Sequence, residues 1–112
     1  RQYSSKTYQD KLVRDRIPEI IQAAGREYAI ETMKEEEFYQ ALRAKLVEEA
    51  QEAAAATDTD LITELADLYE VIDTLMAASG IDRKTVLTEQ KRRRLERGGF
   101  SRRIRLLWSG AD

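Results

Sequence analysis

Two pairs of carboxylates, each pair spaced three residues apart, are the residues of this chain best suited to chemistry. The first pair is Glu49 and Glu52, with Glu48 directly before it, and the second is Glu64 and Asp67. Residues three apart lie on one face of an α-helix, with their Cβ atoms about 5–6 Å apart. If the two helices pack antiparallel, four carboxylates converge, and their mutual repulsion requires a neutralising cation. An all-oxygen site of this kind suits Mg²⁺ or Mn²⁺.

The composition removes several other kinds of site. The 112 residues include no cysteine and no histidine, which excludes disulfides, thiolate metal sites and the commonest general base. Any hydrolytic chemistry must therefore rest on carboxylates, cations and a metal. The length fits a single domain, residues 1–112. Because 36% of the residues are charged and only one is proline, long amphipathic helices are favoured, and we expect an all-α protein.

Hydrophobic periodicity and turn residues predict a bundle of about four helices with an extended C-terminal tail. The predicted helices run from about Pro18 to Gly25, from Thr32 to about Ala56, from Asp60 to Ala78, and from Arg83 to about Arg97. Thr32–Glu35 matches a capping box, and Val86, Leu87 and Leu95 should supply the apolar contacts of the last helix. Gly98 and Gly99 end that helix, and the tail that follows is either a short strand or an extended arm.

The competing explanation for the acidic pairs is a solvated helix face, which is common in charged helices. Three observations favour a metal site instead. The pairs occur on consecutive predicted helices, the connection between those helices is short, and both pairs border apolar stripes, where an unneutralised charge is costly.

The charge balance and the ends of the chain set expectations about the environment. A net charge of −2 gives no global argument for nucleic-acid binding, and we do not expect a nucleic-acid partner. No apolar run approaches the length of a membrane span, and the chain starts without a signal-peptide pattern. We therefore expect a cytoplasmic protein with no membrane contact.

Two basic segments have more than one interpretation. The cluster Lys91–Arg94 with Arg97 is a solvated helix face, a phosphate clamp or a nucleic-acid patch, and the scarcity of aromatic residues among these cations weakens the last. The segment Lys11–Arg16 either pairs its charges on the surface or brings Lys11, Arg14 or Arg16 to a phosphate. The residues alone do not decide between these alternatives.

Four blocks of sequence, in order, carry a resemblance to a known family. They are Lys11–Ile21, Lys45–Glu52, Glu64–Asp67 and Arg97–Phe100. Together they resemble the all-α nucleoside triphosphate pyrophosphohydrolase superfamily, and within it the MazG-like, phosphoribosyl-ATP pyrophosphohydrolase-like branch. The resemblance spans roughly residues 8–107, and the ordered set of motifs is much more specific than any one of them.

The resemblance implies a compact helical bundle that forms a homodimer or homotetramer. It implies Mg²⁺-dependent cleavage of a nucleoside triphosphate between the α and β phosphates, which yields a nucleoside monophosphate and pyrophosphate, with a possible nucleotide house-cleaning role. By this resemblance the metal ligands are Glu49, Glu52, Glu64 and Asp67, and Glu48 orients or deprotonates the attacking water. The resemblance also suggests a set of substrate-phosphate contacts, namely Lys11, Arg14, Lys91 and Arg97.

Two features depart from the family pattern. The spacer between Glu52 and Glu64 is short, so the helices should meet through a tight turn. The Lys11–Asp15 and Arg97–Phe100 blocks look more like those of uncharacterised relatives than those of the histidine-biosynthesis enzyme, so phosphoribosyl-ATP is not assigned as the substrate. Two other classes stay open, a nucleotide-binding or sensing module without catalysis and a purely structural helical protein.

Overall fold

The computed structural model describes residues 6–111, and all of the regular secondary structure within this range is helical. The four helices are α1 (Ile17–Ala23), α2 (Glu35–Ala55), α3 (Leu61–Ala78) and α4 (Arg83–Arg97). The predicted all-α class is therefore confirmed. Within the same range, none of the helices combines the length and the apolarity needed to cross a lipid bilayer.

Local sequence signals account for where most of the helices begin and end. Pro18 lies in the first turn of α1, where a missing N–H costs nothing. Gly25 follows α1 with φ +73°, and Gly98 follows α4 with φ +84°, a backbone region that glycine enters without steric cost. Beyond Gly98 the described tail contains neither helix nor strand, so the short strand is not formed within the described residues. An arm that crosses a partner stays a prediction.

The start of α2 differs from the prediction. The helix begins at Glu35, and the residue before it, Lys34, has an extended backbone, so the proposed cap at Thr32 is wrong by two residues. The backbone N–H of Lys34 donates to the carboxylate of Glu37 at 3.4 Å. Three consecutive glutamates occupy the first turn of α2, so more than one of them can accept the capping hydrogen bond, and the start of the helix differs accordingly.

Helices α2 and α3 pack against each other and contain the buried apolar residues. Leu42 on α2 and Val71 on α3 are 2% and 8% exposed, and they are the buried apolar residues of the described range. The start of α2 and the end of α3 line one pocket, which shows that the pair is antiparallel. In the short connection the carbonyl of Thr57 accepts from the backbone N–H groups of Asp60 and Leu61, both at 3.0 Å. This is the tight turn that the short spacer predicts.

Helix α4 and the tail lie away from this pair, and every described residue from Ile81 onward is exposed. The ion pair between Arg83 and Asp73, at 2.8 Å, links the first turn of α4 to α3. Val86, Leu87 and Leu95 are 39%, 48% and 80% exposed, so none of the three is buried among the described residues and the packed apolar face predicted for the last helix is not formed there. The described residues extend over 69 × 33 × 28 Å, and those of α4 and the tail contribute no buried side chain.

Candidate metal centre

Three carboxylates from the two packed helices meet in one place. Glu49 comes from α2, and Glu64 and Asp67 come from α3, where their spacing of three residues puts them on one face. One oxygen atom from each residue lies within 4.8 Å of the others. Glu49 is only 7% exposed, and the other two are half-buried. We refer to Glu49, Glu64 and Asp67 as the acidic triad.

The acidic triad leaves two buried oxygens without a hydrogen-bond donor. These atoms are Oε2 of Glu49 and Oε2 of Glu64, which have no partner among residues 6–111. A buried acceptor with no partner carries the full cost of its lost hydration. A divalent cation coordinated by these oxygens removes that cost and the mutual repulsion together. Every ligand atom that the acidic triad offers is a carboxylate oxygen, and oxygen ligands suit a hard ion such as Mg²⁺ or Mn²⁺.

The surroundings of Glu49 raise its pKa above the ordinary value. Burial is the main cause, because it disfavours the charged form, and the negative charge of Glu52 acts in the same direction. Lys45 opposes the shift through its positive charge and a hydrogen bond, while Asp67 adds to it. Because the net shift is upward, burial and repulsion together outweigh the attraction of Lys45.

Lysine side chains partly offset the negative charge on the α2 side. The Nζ atom of Lys45 lies 3.4 Å from Glu49 and 3.5 Å from Glu48, and the Nζ atom of Lys11 lies 3.8 Å from Glu48. The side chain of Lys45 is only 19% exposed, so its ammonium is held beside these acids. Lys45 was not among the site residues predicted from the sequence. Its spacing of three residues from Glu48 and four from Glu49 is the sequence signal that places it beside these acids.

The segment before α1 brings two cations to the same site. We call residues 10–16 the N-terminal strap, since Lys11 contacts Glu48 on α2 while Arg14 bonds to Asp67 on α3, with Nη2 2.7 Å from Oδ1. Arg16 pairs instead with Glu19 in α1. All three cations of this segment therefore pair with acids, Arg16 locally and Lys11 and Arg14 at the acidic site. Contact of any of them with a phosphate stays a prediction.

The remaining predicted site residues lie outside the acidic triad. Glu52 is exposed, although its charge acts on Glu49. Lys91 and Arg97 are exposed on α4 and form no ion pair with the α2 and α3 acids in the described part of the chain. The functional roles of these three residues stay predictions.

Comparison with known proteins identifies the family. The model of the phosphoribosyl-ATP pyrophosphohydrolase family matches residues 3–94, and the chain belongs to this family, which is part of the all-α MazG-like nucleoside triphosphate pyrophosphohydrolase superfamily. The resemblance inferred from the four sequence blocks is thus confirmed. Enzymes of this family hydrolyse acid anhydride bonds, and its members are typically metal-dependent.

One relative is an uncharacterized protein of Mycolicibacterium smegmatis (strain ATCC 700084 / mc(2)155), which is 50% identical over 54 residues. The match covers 48% of this chain and 55% of the relative, so the chain spans about half the length of that protein. No solved structure matches the chain.

We predict that Glu49→Gln stabilises the metal-free protein at neutral pH. Because the folded pKa of Glu49 is raised, the folded chain binds more protons than the unfolded chain between the two pKa values. The wild-type protein therefore loses stability as the pH rises from the ordinary value of 4.5 through the raised pKa, and the deficit is complete above it. When thermal unfolding is measured with a chelator present, the melting temperature of the variant should exceed that of the wild type, and the difference should grow from acidic to neutral pH.

Glu70→Gln is the matched control, because Glu70 is an exposed acid on α3 outside the acidic triad. Its melting temperature should follow that of the wild type at each pH. If Glu49→Gln is no more stable than the wild type at neutral pH, Glu49 is not a destabilising buried charge.

Proposed function

We propose that this protein is a Mg²⁺-dependent nucleoside triphosphate pyrophosphohydrolase that cleaves between the α and β phosphates. The observation that carries the proposal is the acidic triad with two buried, unpartnered oxygens, in a chain that belongs to a pyrophosphohydrolase family. Phosphoryl-type transfer depends mainly on positioning and charge stabilisation, so a site without histidine is chemically sufficient. Mn²⁺ would serve in place of Mg²⁺, because both ions prefer oxygen ligands.

The acidic residues have distinct proposed roles. Glu49, Glu64 and Asp67 hold the cation, and Glu52, one turn beyond Glu49 on α2, is the fourth ligand. When bound, Mg²⁺ neutralises the charge that develops on the phosphates and lowers the pKa of coordinated water. Glu48 lies beside Glu49 in the sequence and is 39% exposed at its side chain. A carboxylate in this position can accept a hydrogen bond from the attacking water and then its proton.

The phosphate contacts come from cations around the same acids. Lys11 and Arg14 are on the N-terminal strap, which contacts both helices that carry the acidic triad. A pocket of about 150 Å³ lies beside Lys11 and is also lined by Lys45 and Glu48, among others. A phosphate entering this pocket would meet the ammonium groups of Lys11 and Lys45. The substrate we propose is a nucleoside triphosphate, with its base and sugar to be identified by assay.

We predict that Glu49→Gln and Asp67→Asn abolish turnover and leave the helical fold intact. Even indirect supports of metal ligands typically cost about 10–100-fold in activity, so the loss of a direct ligand should exceed about 100-fold. Pyrophosphate release should be measured over a panel of canonical and modified nucleoside triphosphates, with phosphoribosyl-ATP included. Helix content by circular dichroism separates lost chemistry from lost folding.

Glu70→Gln again serves as the control and should retain wild-type turnover. Full activity in either ligand variant would remove that residue from the mechanism. If the wild-type protein binds triphosphates without releasing pyrophosphate from any of them, the non-catalytic binding module is the correct class.

We also propose that the chain assembles as a homodimer or homotetramer. Large apolar side chains on α3 and in the tail are exposed, among them Ile62 at 79%, Leu107 at 80% and Trp108 at 82%. Large exposed apolar patches mark interaction sites, and we propose that these side chains contribute to one. Sedimentation equilibrium at micromolar concentration should give a dimer or tetramer, and a monomer would contradict this proposal.

A further inference from the structure

The contact between the N-terminal strap and α3 puts a cation on one of the proposed metal ligands. Arg14 Nη2 lies 2.7 Å from Oδ1 of Asp67, a distance typical of a charge-assisted hydrogen bond. Within the acidic triad, Glu49 already has the ammonium of Lys45 beside it. Oε2 of Glu64 has no hydrogen-bond donor among the described residues. In the metal-free chain, Arg14 therefore supplies positive charge to the α3 side of the triad.

A divalent ion in the triad conflicts with this arrangement. Mg²⁺ binds its oxygen ligands at about 2.0–2.1 Å, so an ion on Asp67 would lie within a few ångströms of the Arg14 guanidinium. Two positive charges at that separation repel each other. The side chain of Lys45 is only 19% exposed and has little room to move away from an ion. The side chain of Arg14 is 58% exposed and can rotate into solvent.

The position of Arg14 also suits the substrate. A guanidinium binds phosphate oxygens through two parallel hydrogen bonds. A triphosphate bound at the acidic triad would bring negative charge close to Asp67. Arg14, displaced from the carboxylate, then has an anionic partner within reach of the same strap.

From this geometry we infer that Arg14 is a positioning residue that couples metal and triphosphate binding. Its guanidinium bonds to Asp67 in the metal-free chain, is displaced by the divalent ion, and transfers to the phosphates of the substrate. Arg14 therefore opposes binding of the ion alone and favours binding of the ion together with a triphosphate. The inference rests on the proposed function, because it requires a divalent ion in the acidic triad.

The test compares two affinities in each variant. Mn²⁺ alone is titrated by electron paramagnetic resonance, and inorganic triphosphate is titrated by calorimetry at saturating Mn²⁺. For Arg14→Ala we expect Mn²⁺ to bind about two- to fivefold more tightly, the range expected when a competing exposed ion pair is removed. We expect inorganic triphosphate to bind more weakly to the same variant. A purely structural role would not move the two affinities in opposite directions.

Arg16→Ala is the matched control, since Arg16 lies two residues further along and pairs with Glu19. Both of its affinities should equal those of the wild type. Arg14→Gln removes the charge and keeps hydrogen-bonding groups, so it provides the same comparison if Arg14→Ala does not fold.

Three outcomes separate the inference from the proposed function. If wild-type protein does not bind Mn²⁺, the proposed metal site itself fails. If the wild type binds Mn²⁺ and the Arg14 variants bind it equally or more weakly, the inference is wrong and the proposed function is untouched. Tighter Mn²⁺ binding without weaker triphosphate binding would also overturn the coupling.

Discussion

The mutual repulsion of the Glu49, Glu64 and Asp67 carboxylates between α2 and α3 is the constraint on which the rest of this structure depends. The same antiparallel contact buries Leu42 and Val71, so the apolar core and the clustered charge form in one place. Packing of α2 against α3 brings the three acids together. The energy of apolar burial therefore opposes the cost of holding three acids within 4.8 Å of one another.

The surrounding cations compensate this charge only in part. Five carboxylates occur in the two acidic motifs, at positions 48, 49, 52, 64 and 67. Three cations lie against them, namely Lys11, Arg14 and Lys45. With Arg14 on Asp67 the balance leaves two negative charges, and this excess favours a divalent cation at the site. Exposed ion pairs with Lys11 or Arg14 contribute little by themselves, so these residues can exchange partners at small cost. A site that binds and releases a charged substrate needs this property.

The helices and the acidic motifs could be predicted from sequence because local rules determine them. The predicted third and fourth helices end at Ala78 and Arg97 as observed, since Gly80 and Gly98 adopt positive φ after them. The ion pairs of Arg14 and Lys11 could not be predicted, because they depend on how an irregular segment crosses two helices. Periodicity likewise identified the apolar positions of α4, such as Leu95, but could not show that the described residues leave them exposed.

A crystal grown with Mn²⁺ would show whether the acidic triad holds one divalent ion. Anomalous diffraction locates manganese without reference to activity or to the choice of nucleotide. We expect an anomalous peak coordinated by oxygens of Glu49, Glu64 and Asp67. Well-ordered carboxylates with no peak between them, or manganese bound only elsewhere, would contradict it.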